Sequence, residues 1–448
     1  MEINMTDKAL ELLSAKRFSD LKNLFVVLNP ADVAQILEEL PHENLPILFR
    51  ILPKEMAADT FVEMDNDSQE LLIKGFNDKE LREVLDELFV DDTVDLIEEM
   101  PAGVVKRILR NTDAETRRII NQILNYPEDS AGSIMTTEYV RLQKEMTVEM
   151  ALERIKLTGS DKETVYTCYV TDEHRLLLGV ITARQLLLAE RTEIVGDIME
   201  TRIISIDTFE DREVVAQTMS KYDFSVIPVV DKEKRLVGII TFDDALDVME
   251  AEATEDISKM SAVTPTDKPY LKTDVVEIWK ARIPWLLLLM ISATFTGMII
   301  TSFESALASY VVLTAYIPML MDTGGNSGSQ SSVTIIRGLS LGELGFSDLP
   351  RIIWKEARVS VMCGATLAVA NFAKLLLFDR VGVSVAIVVC CTLIVTVVAA
   401  KLVGCTLPLL AEKVGFDPTV MASPFITTIV DAISLFIYFT IAGAVLGL

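Results

Sequence analysis

The spacing of apolar positions changes three times along the chain, and each change predicts a different kind of structure. Over residues 1–125 apolar residues recur at helical spacing in short units, as in Asn29-Pro30-Ala-Asp-Val-Ala-Gln-Ile-Leu-Glu-Glu-Leu40-Pro41, with Pro where helices start or stop. Similar units begin at Leu52-Pro53-Lys-Glu-Met and Met100-Pro101-Ala-Gly-Val, which predicts a stacked array of short helices resembling a solenoid. From 133 to 250 helical stretches alternate with short apolar runs of strand length, such as Tyr166-Thr-Cys-Tyr-Val-Thr171 and Ser225-Val-Ile-Pro-Val-Val230. Beyond Ile283 the apolar runs lengthen into five segments, near 283–303, 308–336, 352–378, 382–411 and 419–447. Each is long enough for a hydrocarbon core of about 30 Å, which takes roughly 20 helical residues.

The middle region is duplicated. Ile134-Met135-Thr-Thr-Glu-Tyr-Val-Arg-Leu recurs as Ile198-Met199-Glu-Thr-Arg-Ile-Ile-Ser-Ile, and Gly179-Val-Ile-Thr182-Ala-Arg-Gln185 recurs as Gly238-Ile-Ile-Thr241-Phe-Asp-Asp244. The repeat resembles a pair of cystathionine-β-synthase (CBS) domains. That resemblance implies a regulatory α/β module, often dimeric, that can bind adenosine nucleotides. It also implies a ribose-holding acid after Gly-x-x-Thr-x-x, which is Asp244 in the second copy and is replaced by Gln185 in the first. Arg184 and Phe224 are the candidate contacts for a phosphate and a base; the competing reading is a surface charge and a core aromatic.

Charge separates the two halves. Of the net −25, −24 lies in residues 1–282, because from Ile283 onward eight Lys and Arg nearly balance nine Asp and Glu. Such a half repels nucleic-acid phosphates and attracts cations. Two histidines (His42, His174) and five cysteines without a CxxC pair exclude a zinc-type cluster, so a bound metal must use oxygen ligands, as hard Mg²⁺ or Ca²⁺ do. The polar, acidic start of the chain carries no signal peptide, which places the N-terminus in the cytosol. Arg337, Arg351, Lys355 and Arg358 cluster between the second and third apolar segments, opposite Glu304 and Asp379/Arg380, so the positive-inside rule puts the C-terminus outside.

Acidic positions then acquire a pattern. Asp243 to Met260 reads as one amphipathic helix, with Leu246, Met249, Ala253, Ile257 and Met260 on one stripe and Asp244, Asp247, Glu252 and Glu255 opposite, flanked by Asp243, Glu250 and Asp256. Like charges at this spacing repel, and divalent cations or plain solvation would relieve them. Asp91, Asp92 and Asp95 form a second acidic group between two helices, as a helix cap or as cation ligands. Asp431 lies in mid-span of the last apolar segment, where a carboxylate costs roughly 2.5–3.5 kcal/mol. It faces a wet cation path or pairs with Lys374 or Lys401. Thr427 shares its helix face, and Pro424 leaves the Val420 carbonyl without a helical donor. The run Asp322-Thr-Gly-Gly325-Asn326-Ser-Gly-Ser-Gln330 suits close helix packing, a water-lined surface, or both.

In this order the parts resemble the MgtE family of magnesium channels over the whole chain. The resemblance rests on the helical N-domain, the CBS pair, the acidic helix, Pro318…Gly-Gly-Asn-Ser-Gly-Ser-Gln330, and Asp417-Pro418…Pro424-Phe-Ile-Thr-Thr-Ile-Val-Asp431. It implies a multidomain protein: a helical, solenoid-like N-domain (1–128), two α/β CBS domains (133–196 and 197–250), an acidic plug helix and connector (243–281), and an all-α membrane domain of five spans (282–448). It further implies a homodimer in the bacterial inner membrane with one pore, lined by Asp431, Thr427, Pro424, Asn326 and Gly325. Regulatory Mg²⁺ would be held by Asp91, Asp223, Asp244, Asp247, Glu252, Glu255 and Asp256, closing the plug when cytosolic Mg²⁺ is high. ATP is a possible ligand of the CBS pair. The alternatives are a cation-coupled carrier using the same Asp431 and a non-conducting, membrane-anchored CBS sensor. No nucleophile–base set or phosphate cradle suggests an enzyme.

Overall fold

The computed structural model describes residues 5–266 and 270–447. It divides into two compact units, Met1–Met249 and Glu250–Leu448.

The first unit opens with ten short α-helices, from Met5–Ser14 to Ala114–Ile123. Sequence-coded caps set their starts: Asn29 accepts from the Ala31 N–H ahead of Pro30, Asp65 accepts from Ser68, and Asn77 and Glu80 form a capping box. Each helix is too short to be stable alone and persists by burying one face. Phe25, Leu37, Leu48, Phe61, Leu72 and Ile108 form that shared core. Its eighth helix, α1 (Val90–Glu99), carries the first acidic group.

The duplicated region folds into two sheets of the same topology. β1 (Tyr139–Gln143) pairs parallel to β2 (Thr164–Thr171), which pairs antiparallel to β3 (Leu177–Thr182). β4 (Ile206–Asp207), β5 (Val226–Val230) and β6 (Leu236–Thr241) repeat the arrangement. The copies clasp one another: Thr136 exchanges backbone hydrogen bonds with Ile239 of β6, and Glu200 does so with Val180 of β3. The repeated Ile-Met and Gly-x-x-Thr marks thus have one cause. Met135 lies on Gly238 and Met199 on Gly179, and a Cβ at 238 would come within 2.6 Å of the Met135 sulfur.

Helix α2 (Phe242–Met260) follows β6 and crosses the boundary between the units. In the first unit it buries Ala245 and Val248. Leu246, Met249 and Ile257, on the expected apolar stripe, are exposed in this chain.

The second unit is helical. Among the described residues, four segments are long and apolar enough to cross a membrane: Val275–Ser302 (α3), Phe346–Leu377, Val383–Val414 (α5) and Pro418–Leu446. The second contains the helix Leu349–Leu377 and the fourth the helix Ser423–Leu446. Between the first two lies Ile317–Ser340, 24 residues long, whose Gly, Ser, Asn and Asp content lowers its hydropathy. In chain order Ile317–Ser340 is α4, Val383–Val414 remains α5 and Ser423–Leu446 is α6. Helices α4, α5 and α6 pack on one another around Leu320, Leu393, Val397 and Leu435.

Candidate functional site

Two acidic sites emerge, one in each unit. In the first, α1 begins after Phe89, which supplies no side-chain cap, so Asp91 and Asp92 stand in the first helical turn rather than capping it. The cap comes from elsewhere: Glu138 accepts from the Val90 N–H at 3.1 Å and from the Thr136 hydroxyl at 3.0 Å. Asp91 is 7 % exposed, and its Oδ1 has no hydrogen-bond partner. An unpaired, buried carboxylate oxygen is costly and calls for a proton or a cation.

Other carboxylates crowd it. Burial raises the Asp91 carboxyl well above its usual range, and the charges of Asp244, Asp92, Glu163 and Glu138 add to the effect. Burial and Asp244 raise Asp92 to about 6, and burial with Asp244 and Asp92 raises Glu163 to about 8. Asp244 itself is pushed to about 6 by burial, against the opposing hydrogen bond from Thr241. The Thr241 hydroxyl donates to Asp244 Oδ2 at 2.5 Å and the Thr241 N–H to the same oxygen at 3.3 Å, as the Thr182 hydroxyl and N–H donate to Gln185 in the first copy. Glu138 and Glu163 belong to the group although the sequence pattern did not single them out. They come from segments flanking β1 and β2, joined by the Glu163 N–H donating to the Glu138 carbonyl at 2.9 Å. Among the described residues no three acids, histidines or cysteines converge as ligands of a single bare ion. The all-oxygen set, with Asp91 unsatisfied, fits a hydrated hard cation that bridges through its waters.

The group has a pH signature. Carboxyls whose folded pKa is raised stabilise the fold below their unfolded value near 4 and lose that contribution as pH rises through about 6 (Asp92, Asp244) to about 8 (Glu163). A divalent cation offsets the loss by holding the ionised forms. Melting of residues 1–261 should therefore respond little to Mg²⁺ at pH 5 and strongly at pH 8. A pH-independent response would place the Mg²⁺ elsewhere.

Of the remaining regulatory candidates, Asp247 lies near enough for its charge to act on Asp244, whereas Asp223, Glu255 and Asp256 do not join this group. Asp223 is exposed at a left-handed C-cap, with φ 54°. In the second unit, Lys259 bridges Glu255 at 2.6 Å and Asp417 at 2.7 Å, while the Ser340 hydroxyl donates to Asp256 at 3.3 Å. The end of α2 is thereby latched to the segment leading into α6 and to the end of α4. Asp247 and Glu252 also have interaction partners. Arg184 is exposed; Phe224, half-buried, packs against the core and stacks on the exposed Tyr222 at 5.5 Å.

The second site is Asp431 on α6. Its Oδ1 is buried without a hydrogen-bond partner. Neither lysine reaches it: Lys374 pairs with Asp379 at 3.2 Å, and Lys401 donates to Ser331 at 3.3 Å. The ion-pair alternative is thus not realised. One helical turn earlier Thr427 faces α4, where a Cβ on Gly325 would come within 2.9 Å of its methyl. Gly324 and Gly328 meet Val430 and Ile426 equally closely. The glycine run therefore serves close packing of α4 on α6. Gly325→Val should destabilise this contact by about 1–3 kcal/mol through overpacking, read as a lower melting temperature of the purified protein; unchanged melting would refute the close fit.

The other face of α4 is polar. Asp322, Asn326 and Gln330 recur every fourth residue and are all exposed. Asp322 lies close enough for its charge to act on Asp431. It was missed as a candidate, and its signal was the Asp-x-x-x-Asn-x-x-x-Gln spacing. Pro424 stands at the start of its helix, in the first turn of α6, after a short 3₁₀ turn at Pro418–Met421, where its missing N–H leaves no gap in the ladder.

Comparison with known proteins adds the following. Residues 317–441 match a family described as divalent cation transporter (MgtE), residues 28–129 the MgtE intracellular N domain, and residues 131–191 and 195–251 CBS domains. A magnesium transporter MgtE from Thermus thermophilus is 37 % identical over 95 % of this chain and 95 % of its own length. One from Bacillus subtilis is 33 % identical over 97 % of this chain and 95 % of its own. The crystal structure of the cytosolic domain of the Mg²⁺ channel MgtE in complex with ATP aligns with 54 % of this chain and 99 % of its own, at a TM-score of 0.50 and 37 % identity.

Proposed function

We propose that this chain, which belongs to the MgtE family of magnesium transporters, is a Mg²⁺-selective channel whose cytosolic half closes it when Mg²⁺ is plentiful. The observation that carries this reading is Asp431: a carboxylate in a membrane span, with a buried oxygen that no protein group satisfies. Mg²⁺ dehydrates reluctantly, so a path for it is lined by groups that bind its waters. Asp431, the nearby Asp322, Thr427 and the polar face at Asn326 supply such groups. Gly325 and Pro424 shape the backbone around them.

The working unit is a homodimer in the bacterial inner membrane, with five spans per subunit, the N-terminus cytosolic and the C-terminus outside. Two subunits would bring two copies of Asp431 to one axis. The exposed Leu246, Met249 and Ile257 of α2 support pairing of chains, since such residues seek an apolar partner. The helical domain and CBS pair form the sensor. Mg²⁺ bridging Asp91, Asp92, Glu138, Glu163, Asp244 and Asp247 favours the compact state by mass action. Glu252, Glu255, Asp256 and Asp223 would act at the edges of that response. ATP, bound by a relative's cytosolic domain, would meet Arg184 and Asp244 here if it binds.

Ion flux into liposomes holding purified protein tests this reading. Mg²⁺ uptake down its gradient with no coupled ion, diminished by Mg²⁺ on the cytosolic face, is the expected result. A requirement for a proton or sodium gradient would favour a carrier. No flux under any condition would favour a membrane-anchored sensor.

A further inference from the structure

Lys401 has no role in the conduction path proposed above. It lies in the middle of α5 within the membrane unit, 5 % exposed. A lysine at such depth is costly and is retained for a function or a specific partner. Its amine donates to Ser331 Oγ of α4 at 3.3 Å, and Ser331 in turn donates to Glu356 Oε2 at 2.7 Å. Ser331 is itself 3 % exposed. Glu356 belongs to the helix Leu349–Leu377. Three separate helices of this unit are thus joined by one polar chain centred on a serine of α4.

The surroundings leave little slack. A side chain at Gly404 of α5 would collide with the Gly328 carbonyl of α4, and a Cβ on Gly328 would come within 3.1 Å of the Ala400 carbonyl. The next residue on α4, Ser332, donates to the Met421 carbonyl just before α6 at 3.3 Å. Adjacent serines therefore tie α4 to α5 on one side and to the start of α6 on the other. Six residues before Ser331, about 9 Å along the helix axis, Gly325 packs on Thr427.

We infer that Lys401, Ser331 and Glu356 form a polar relay that sets the rotation and depth of α4, so that Asn326 and Asp322 meet the ion path at the level of Asp431. Lys401 is a positioning residue: it touches no ion and acts through Ser331. The inference rests on the channel reading. Sliding or rotating α4 alters the spacing of its polar stripe against α6, and spacing is what separates Mg²⁺, which keeps its waters, from Ca²⁺, which sheds them more readily.

The test is a set of Mg²⁺ and Ca²⁺ flux measurements on full-length protein in liposomes: wild type, S331A, K401M and the double variant. S331A removes only a hydroxyl and serves if K401M folds poorly. Expected is a drop in the Mg²⁺-to-Ca²⁺ flux ratio, on the order of tenfold for either single variant, with the double variant no worse than the worse single. The ratio is independent of how much protein folds, so a purely structural role would lower both fluxes and leave it unchanged. An unchanged ratio in S331A and K401M, or effects that simply add, would overturn the relay while wild-type flux upheld the channel. Absence of wild-type flux would overturn the channel reading, and this inference with it.

Discussion

Asp431→Ala abolishes Mg²⁺ flux and leaves the protein as stable as the wild type, or more so. The two halves of this expectation come from one fact. The Asp431 oxygen has no protein partner, so its removal breaks no hydrogen bond and relieves the roughly 2.5–3.5 kcal/mol that a carboxylate costs in a span. A residue retained at that cost serves the ion rather than the fold. Asp431→Asn keeps the shape and removes the charge, and flux should fall nearly as far. Asp322→Asn, on the exposed face of α4, should give a smaller loss. Flux assays paired with thermal melting read both halves. Normal flux in the alanine variant would remove Asp431 from the path, and a large loss of stability would make it structural.

The second large effect concerns closure. Neutralising Asp91, Asp244 and Asp247 together should leave the channel open at cytosolic Mg²⁺ concentrations that shut the wild type, with the inhibition midpoint raised by at least about tenfold, the equivalent of about 1.4 kcal/mol of lost coupling. The structure orders the acids more finely than their spacing does. Asp244 lies within the field of Asp91 and Asp92, whereas Glu255 is already paired with Lys259. Glu255→Gln should therefore move the midpoint less than Asp244→Asn. The reverse order in patch recordings would relocate the sensor to the far end of α2.

Much of this was legible in the chain, and the exceptions share a cause. The short helices, the duplicated sheets and the place of Asp431 within the last long apolar helix follow from local periodicity and from motifs close in sequence. What could not be read were contacts between distant segments. Glu138 and Glu163 join the acidic group because β1 and β2 pair side by side, which no spacing within one helix reveals. The face of α2 that packs within the chain carries Ala245 and Val248, which helical periodicity alone did not single out. Lys401 was a conceivable partner of Asp431 and meets a serine instead.

The central claim is that a Mg²⁺ path and a Mg²⁺ sensor reside in this one chain, and that the sensor closes the path. Inside-out patch recording from membranes containing only this protein tests it most directly, with Mg²⁺ titrated on the cytosolic face. The account predicts Mg²⁺ current at low cytosolic Mg²⁺ that disappears as the ion is raised and returns on washout. Current that persists unchanged across the titration, or no current at any concentration, would contradict it.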